Sequence, residues 1–270
     1  MRNACRELKQ GGKRLGFVPT MGALHAGHLS LVQAARAQCA AVAASVFVNP
    51  TQFGPNEDLS KYPRDLNRDR ELLEKEKVDL LFAPSAEEMY PAGAVTWVTV
   101  EGLSERLEGK SRPGHFRGVA TVVSKLFNVV EPDRAYFGQK DAQQAVIIRK
   151  MVRDLDMGVE VVVCPTVRES DGLALSSRNV YLSPEERKQA LVLYRALCRV
   201  HSLADQGERD ARKLRDAAVQ VFGGEKQVRM DYFEIVDKDL LEPVQDTSRG
   251  ALVVTAAFVG KTRLIDNIVL

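Results

Sequence analysis

The sequence has 270 residues, of which 27% are charged and 45% are hydrophobic, an ordinary balance for a soluble globular protein. The formal net charge is only +2, and lysine and arginine are dispersed among aspartate and glutamate, which argues against a nucleic-acid partner. No apolar run approaches the ~20 residues that span a bilayer, the start lacks an apolar signal segment, and the cysteines form no CxxC pair. We therefore expect a cytoplasmic protein with reduced thiols and no membrane partner.

Strands and helices alternate along the first part of the chain. Apolar runs predict strands at 14–18, 41–48, 78–82, 95–100, 134–137 and 159–164, and helical periodicity predicts helices from about residue 25 onward and at 66–77, 118–130 and 141–155. This order predicts right-handed βαβ units and a mostly parallel sheet with helices on both faces. Ligands of such sheets bind beyond the carboxyl ends of the strands, where the polar motifs of this chain lie.

The pattern changes after Pro165. Ser183 precedes Pro184 and Glu186 as a helix-start signal. A second helix is expected at 210–222 and strands at 230–236, 251–258 and 264–270, with a tight hairpin connection at 260–262. We predict a smaller α+β domain, so that the domains span 1–166 and 167–270.

The most informative motif is VPTMGALHAGHLSLV at 18–32, where a strand turns into a helix. It places His25 and His28 at the helix start, next to unpaired backbone N–H groups and the positive end of the helix dipole, an arrangement that favours a polyphosphate. Gly22 and Gly27 would let the ligand approach the backbone. The alternatives are a zinc site and a purely structural role, but no third ligand stands at metal spacing.

Two further motifs carry polar side chains. In NPTQF, Asn49 and Gln52 follow a strand, and their amides can hydrogen-bond a hydroxyl or carboxylate, although Asn and Pro also form plain turns. In RPGHFRGV, Arg112, His115 and Arg117 could close as cations over an anionic substrate in a mobile wall, and a solvated basic loop is the alternative.

Two motifs in the middle of the chain suit a nucleotide. In YFGQKDAQQ, Lys140 can bind a phosphate and Asp141 a ribose, with an ordinary helix cap as the alternative for Asp141, and Gln144 lies one helical turn further on. In VRESDGLALSSRN, two serines and Arg178 suit β and γ phosphates, although such residues are common in loops.

Taken together, VPTMGALHAGHLSLV, NPTQF, RPGHFRGV, FGQKDAQQ and LALSSRN closely resemble the pantoate:beta-alanine ligases of the HIGH-motif nucleotidyltransferase superfamily, over nearly the whole chain. The resemblance implies a Rossmann-like ATP-binding domain, a smaller lid domain and a homodimer. It also implies a reaction in which pantoate and ATP, accompanied by Mg²⁺, give pantoyl adenylate, which beta-alanine converts into pantothenate and AMP.

The resemblance assigns site residues motif by motif. It implies ATP contacts by Met21, Gly22, Ala23, Leu24, His25, Ala26, Gly27, His28, Gly138, Gln139, Lys140, Asp141, Val167, Leu175, Ser176, Ser177 and Arg178. Among these, His25, His28 and Lys140 would be catalytic, with His28 as proton donor. Gln52 and Gln144 would hold pantoate with support from Asn49, Arg112 and His115 would belong to the mobile wall, and the metal ligands are unknown.

Family members usually carry a further strand ahead of the helix before VPTMG, whereas this sequence starts with MRNACRELKQGGKR, inside that helix. Two other functions fit the HAGH motif. One is a nucleotidyltransferase that releases a dinucleotide-like product and makes no amide, and the other is a nucleotide-sensing or scaffold protein without turnover.

Overall fold

The computed structural model describes residues 1–55, 57–225 and 227–270. The chain separates into two compact units. The first contains Met1–Gln139 and Gln143–Pro165, and the second contains Lys140–Ala142 and Thr166–Leu270.

A parallel sheet organises the first unit. The elements are α1 (Arg2–Leu8), β1 (Leu15–Thr20), α2 (Ala26–Gln38), β2 (Ala41–Val46), α3 (Leu66–Lys75), β3 (Leu80–Phe82), α4 (Ala86–Met89), α5 (Glu108–Ser111), α6 (His115–Val130), β4 (Arg134–Gly138), α7 (Ala142–Asp154) and β5 (Glu160–Cys164). The strand order is β3-β2-β1-β4-β5, and all neighbouring strands are parallel. The predicted fold class is therefore confirmed.

The strand order reverses between β1 and β4. From β1 the chain adds β2 and β3 on one side, and it later adds β4 and β5 on the other. Such a switch point leaves a crevice outside the carboxyl ends of the two central strands, the usual ligand position in open parallel sheets. The segment that follows β1 leads directly into α2, so the HAGH motif lies at this crevice.

Burial explains why the central strands consist of small and apolar residues. The side chains of β2 are buried from Ala41 to Ser45, as expected for a parallel strand covered on both faces. The core of this unit includes Val18, Leu31, Val32 and Leu73. Together they fix the positions of α2 and α3 relative to the sheet.

The strand predicted at 95–100 is wrong, because no strand forms in this segment. The backbone N–H of Val98 donates instead to Thr121 Oγ1 of α6 at 2.9 Å. The guanidinium of Arg117 lies over the ring of Trp97, 4.8 Å from its centroid, and Val95 is 83% exposed. The apolar residues of this run therefore lie along α6 rather than in a sheet.

The second unit combines helices with an antiparallel sheet, as the smaller α+β domain was predicted to do. Its elements are α8 (Pro184–Gln189), α9 (Leu191–Asp205), α10 (Ala211–Gly223), β6 (Val228–Val236), β7 (Leu252–Val259) and β8 (Thr262–Val269). The strand order is β6-β7-β8, and Gly260, with φ +57°, forms the hairpin connection of the last two strands. Leu197, Leu214 and Phe233 lie in its buried core.

The predicted helix start at Ser183 is present, with Ser183 and Glu186 in a reciprocal capping box. The following run is divided into two helices at Ala190, which is the C-cap of α8 and the N-cap of α9 and keeps right-handed helical backbone angles. Among the residues described, the longest apolar helices are too short to span a bilayer.

Candidate active site

The turn between β1 and α2 is tightly constrained. Gly22 has φ +81° and Ala23 has φ +51°, so both adopt the left-handed region that glycine tolerates best. A Cβ on Gly22 would lie 2.8 Å from Asp69 Oδ2 and 3.0 Å from Val46 Cγ1. The missing side chain of Gly22 therefore makes room for Asp69 and Val46 on that face.

The two histidines of the motif cap α2. His25 is the N-cap residue, its Nδ1 accepts from the backbone N–H of Gly27 at 3.1 Å, and His28 Nδ1 accepts from the N–H of His25 at 3.3 Å. A neutral imidazole that accepts through Nδ1 carries its proton on Nε2. Both rings, with centroids 4.1 Å apart, therefore carry an Nε2–H donor at the helix N-terminus.

A buried carboxylate fixes the backbone of the turn between β1 and α2. Asp69 of α3 is 1% exposed, and its Oδ2 and Oδ1 accept from the N–H groups of Ala23 and Leu24 at 2.9 and 2.8 Å. Arg68 also donates to the carbonyl oxygen of Leu24 at 3.2 Å. Asp69 was not predicted from the sequence. The available signal was its spacing of four from Leu73, which puts a charge on the buried face of an amphipathic helix.

The NPTQF segment forms a buried amide pair. Asn49 is 1% exposed, and its Nδ2 donates to Gln52 Oε1 at 3.0 Å and to the carbonyl oxygen of Gly118 at 3.2 Å. Its Oδ1 accepts from the hydroxyls of Thr51 and Tyr90, each at 2.9 Å. Because these bonds satisfy the Asn49 amide, its geometry suits support of Gln52 rather than direct contact with a ligand.

Gln52 is also held on its second side. Its Nε2 lies 3.0 Å from Met21 Sδ, a weak acceptor, which brings two of the predicted site residues together. A Cβ on Gly118 would collide with the carbonyl oxygen of Thr51, so α6 can approach this segment closely only with glycine at that position. Tyr90 and Gly118 therefore help to hold Gln52 in place, since both are hydrogen-bonded to Asn49. Neither residue was predicted from the sequence.

His115, which is buried, and the half-buried Arg112 form a polar cluster. The ring Nε2 of His115 accepts from Arg112 at 3.1 Å, and its Nδ1–H donates to the carbonyl oxygen of Gln52 at 2.7 Å. Burial, reinforced by the charge of Arg112, lowers the pKa of His115 to about 4. The expectation of a cationic His115 is therefore wrong, because the ring is neutral near pH 7. Arg112 is a cation, and both Glu57 oxygens accept from it, at 2.9 and 2.5 Å.

The two neighbouring glutamines of α7 differ in their surroundings. Gln143 is buried, accepts from the N–H of Glu108 at 2.9 Å and donates to the carbonyl oxygens of Leu103 and Arg106. Gln144, the predicted pantoate residue, is half-buried. Gln143 thus anchors the segment before α6 to α7.

In the second unit, Lys140 lies in a short 3₁₀ turn, Gln139–Asp141, which precedes α7. Its Nζ is 3.6 Å from Asp141 Oδ1, and its carbonyl oxygen accepts from Asn267 Nδ2 at 2.9 Å. The structure therefore places Lys140 and Asp141 at a helix start, as the motif predicted, although through a 3₁₀ turn.

The serine and arginine motif of the second unit follows a small loop. The N–H of Leu175 donates to the carbonyl oxygen of Val167 at 3.0 Å, which pairs two of the predicted ATP residues. Ser176 then caps the 3₁₀ helix Ser177–Tyr181, and its Oγ accepts from the N–H of Arg178 at 3.2 Å. The loop therefore presents Ser176, Ser177 and Arg178 together at the start of one short helix.

Within the described part of the chain, no three His, Cys, Asp or Glu side chains are close enough to hold a metal ion. The cysteines Cys5, Cys39, Cys164 and Cys198 are free. The polar groups of both units suit recognition of anions and hydroxyls through N–H donors, amides and guanidinium groups.

Comparison with known proteins decides the family. The sequence profile of a family described as pantoate-beta-alanine ligase matches residues 1–269. This chain belongs to the pantoate-beta-alanine ligase family. As a ligase of this family, it joins pantoate to beta-alanine.

Relatives of the ligase resemble it over almost their full lengths. A pantothenate synthetase from Acidobacterium capsulatum is 64% identical over 260 residues, which are 96% of this chain and 87% of that protein. The crystal structure of pantothenate synthetase from Thermus thermophilus has a TM-score of 0.93 and 55% identity, covering 98% of this chain and 96% of the other. A ligase structure from Francisella tularensis, complexed with beta-gamma ATP and beta-alanine, has a TM-score of 0.79 and 34% identity, covering 98% and 94%.

Proposed function

We propose that this ligase works in two steps through pantoyl adenylate. A carboxylate oxygen of pantoate attacks the α-phosphorus of ATP, the bond from that phosphorus to the α–β bridging oxygen breaks, and pyrophosphate leaves. The neutral amine of beta-alanine then attacks the carbonyl carbon of the adenylate, the bond from that carbon to the phosphate oxygen breaks, AMP leaves, and the nitrogen loses a proton as the amide forms. Neither step needs a protein nucleophile, because in-line transfer depends chiefly on positioning and charge stabilisation.

One observation carries the proposal, namely the two Nε2–H donors of His25 and His28 at the N-terminus of α2. Together with the helix dipole they form an anion site beyond the carboxyl end of β1. In our proposal the segment Met21–His28 contacts ATP, both histidines bind its phosphates and His28 is the proton donor. The carboxylate of Asp69 keeps this segment in position.

Pantoate is proposed to bind at two of the glutamines of the first unit, Gln52 and Gln144. The amide of Gln52 can bind the carboxylate or hydroxyl groups of pantoate without adding a charge. Asn49 supports Gln52 through its own saturated hydrogen bonds. Arg112 and His115 are proposed to form the neighbouring wall, with the neutral His115 ring held against the backbone of Gln52.

The remaining ATP contacts are proposed for the segments 138–141 and 167–178. Gly138 and Gln139 would receive the adenosine and Asp141 the ribose, while Lys140 would bind a phosphate. Val167 and the run Leu175–Arg178 would complete the ATP contacts. Arg178 supplies a guanidinium that can bind the leaving pyrophosphate through two N–H donors.

The same resemblance extends the proposal beyond the site. We propose residues 1–166 as the ATP- and pantoate-binding domain and 167–270 as the lid domain. Mg²⁺ enters as part of the ATP substrate, because Mg²⁺ is usually held through substrate phosphates and one or two carboxylates. We also propose a cytoplasmic location, which agrees with the free cysteines. The homodimer is proposed from the resemblance alone, and light scattering on the purified protein tests it.

The decisive experiment measures pyrophosphate release from ATP. Release should require pantoate, and AMP with an amide product should appear in sustained turnover only after beta-alanine is added. A nucleotidyltransferase would make no amide and would not respond to beta-alanine. A sensor would bind ATP without any turnover, so a folded protein that binds ATP and releases no pyrophosphate would contradict the proposal.

A further inference from the structure

Two consecutive buried polar residues of β8 link the proposed ATP-binding segments of the second unit. We propose that Asp266 and Asn267 are positioning residues, Asn267 for Lys140 and Asp266, through Arg168, for the loop that leads to Leu175–Arg178. This inference rests on the proposed contact of Lys140 and Arg178 with ATP. It assigns a function to the C-terminal strand, which carries none of the motif residues.

Asn267 contacts the main chain of Lys140 directly. The Asn267 side chain is buried, with 3% of the residue exposed, and its Nδ2 donates to the Lys140 carbonyl oxygen at 2.9 Å. This bond fixes the backbone of the 3₁₀ turn from which the Lys140 side chain projects. A lysine binds phosphate as a point charge on a flexible stem, so its effect on a reacting phosphate depends on where its backbone is held.

Asp266 holds the second segment through a paired arginine. Its Oδ2 and Oδ1 accept from the two terminal nitrogens of Arg168 at 2.6 and 2.8 Å, and its Oδ1 also accepts from the N–H of Asn267 at 2.8 Å. Arg168 in turn donates to the carbonyl oxygen of Gly172 at 3.0 Å and lies 4.5 Å from the ring centroid of Tyr194. Arg168 therefore closes the loop 167–175.

Stability alone is a weak reason for this arrangement. Replacement of a buried ion pair by apolar residues of similar volume is often neutral or stabilising. The Asp266 pair instead gives geometric definition, because a bidentate arginine fixes both distance and orientation. Adjacent residues in a strand point to opposite faces, so one short stretch of β8 reaches two separate segments.

The test replaces Asn267 by leucine, which keeps its shape without the donor, and by alanine, which suits a buried position if leucine impairs folding. We expect kcat/KM for ATP in pantoate-dependent pyrophosphate release to fall about 10- to 100-fold, the range for a displaced reacting group. The KM for pantoate should stay within about twofold, because its proposed residues lie in the first unit. If the role of Asn267 were merely structural, the substitution would lower the melting temperature and impair the use of both substrates to the same extent.

A matched control is a second arginine–aspartate pair, in which Arg263 of β8 donates to Asp231 Oδ2 of β6 at 2.8 Å. Asp231→Asn should leave kcat/KM for ATP at the wild-type value, whereas Asp266→Asn should lower it. A folded Asn267→Ala protein with wild-type kcat/KM for ATP would overturn the inference.

The double variant Lys140→Ala with Asn267→Ala separates this inference from the proposed function. If Asn267 acts through Lys140, the double variant should be no slower than Lys140→Ala alone. Independent, multiplying losses would overturn the positioning role while leaving Lys140 in the site. Wild-type rates in Lys140→Ala itself would overturn the proposed function of Lys140 and, with it, this inference.

Discussion

His28 uses its two ring nitrogens for different purposes. Nδ1 accepts from the backbone N–H of His25 and helps to cap α2, while Nε2 carries a proton that is proposed to reach the phosphates of ATP. The structural and functional interpretations of the HAGH motif are therefore compatible. A substitution that keeps one nitrogen and removes the other can separate them.

We predict that His28→Asn keeps the cap and loses the chemistry, because Asn Oδ1 can replace Nδ1 as acceptor while nothing replaces Nε2–H. The rate of adenylate formation should fall about 10²- to 10³-fold, the usual effect of removing one donor to a developing charge. Stability should stay near wild type, whereas His28→Ala should lose about 1 kcal/mol through the missing cap. Single-turnover pyrophosphate release and thermal unfolding measure the two effects, and an active His28→Asn protein would refute the proposed donor role.

His115 should make folding sensitive to mild acid. Its pKa is lowered to about 4 in the folded protein, mainly by burial and then by Arg112, while its ordinary value is 6.5. The unfolded chain therefore binds the proton first, and the stability contributed by the neutral ring is full above pH 6.5 and lost as the pH falls towards 4. The loss is on the order of 3 kcal/mol, since one pKa unit corresponds to about 1.4 kcal/mol.

Chemical unfolding from pH 7.5 to pH 4 tests this prediction. His115→Phe should be less stable at pH 7.5, because Arg112 and the carbonyl oxygen of Gln52 each lose one hydrogen-bond partner, but its stability should fall less steeply with acid. His201→Gln is the control, since His201 is an exposed histidine paired with Asp205. Equal slopes for wild type and His115→Phe would show that His115 does not titrate in this way.

At the scale of elements, α3 and the β1–α2 turn form one assembly through Asp69. The carboxylate accepts from the N–H groups of two consecutive residues, Ala23 and Leu24. Each N–H group bonds a different oxygen, so both oxygens of the side chain must be acceptors. Asp69 can approach these N–H groups only because residue 22 is glycine, since a side chain at that position would collide with the carboxylate. The geometry of the HAGH segment therefore depends on a residue that lies a whole helix and strand further along the chain.

We predict that Asp69→Asn impairs the turn, because an amide NH₂ would face a backbone N–H. The free energy of unfolding should fall by about 1–3 kcal/mol, the cost of an unsatisfied buried group, and adenylate formation should slow as well. Asp65→Asn is the matched control, since Asp65 caps the same helix by accepting from the N–H of Arg68 and asparagine caps equally well. If both variants have wild-type stability and rate, Asp69 does not hold the turn.

Local patterns predicted most of the elements, because the helix of the HAGH motif and the hairpin at Gly260 each depend on short-range signals. The strand predicted at 95–100 failed for the opposite reason. Its apolar residues satisfy a strand pattern, but strand formation needs a neighbouring strand, and Val98 is bonded to α6 instead. Motif residues such as Gln52 were visible in the sequence, whereas Asp69 and Asn267 owe their contacts to chain segments 45 and 127 residues away.

At the scale of the whole molecule, the proposed substrate contacts are divided between two units that each have a buried core. Gln52 and Gln144, which are proposed to bind pantoate, belong to the first unit. Lys140 and Arg178, which are proposed to bind phosphates, belong to the second. Residues of each unit are proposed to bind ATP, whereas pantoate is proposed to bind to residues of the first unit alone.

This division predicts separable kinetic defects. Gln52→Ala should raise the KM for pantoate about tenfold, because the lost amide contacts are each worth about 1 kcal/mol, while the KM for ATP stays near wild type. Arg178→Ala should do the reverse, with a larger effect because its contacts are charge-assisted. Steady-state kinetics with each substrate varied in turn measure both constants, and the double variant should show additive free energies if the two residues act on different substrates. A pantoate KM that rises equally in both variants would mean that the second unit also binds pantoate, and the assignment by unit would then be wrong.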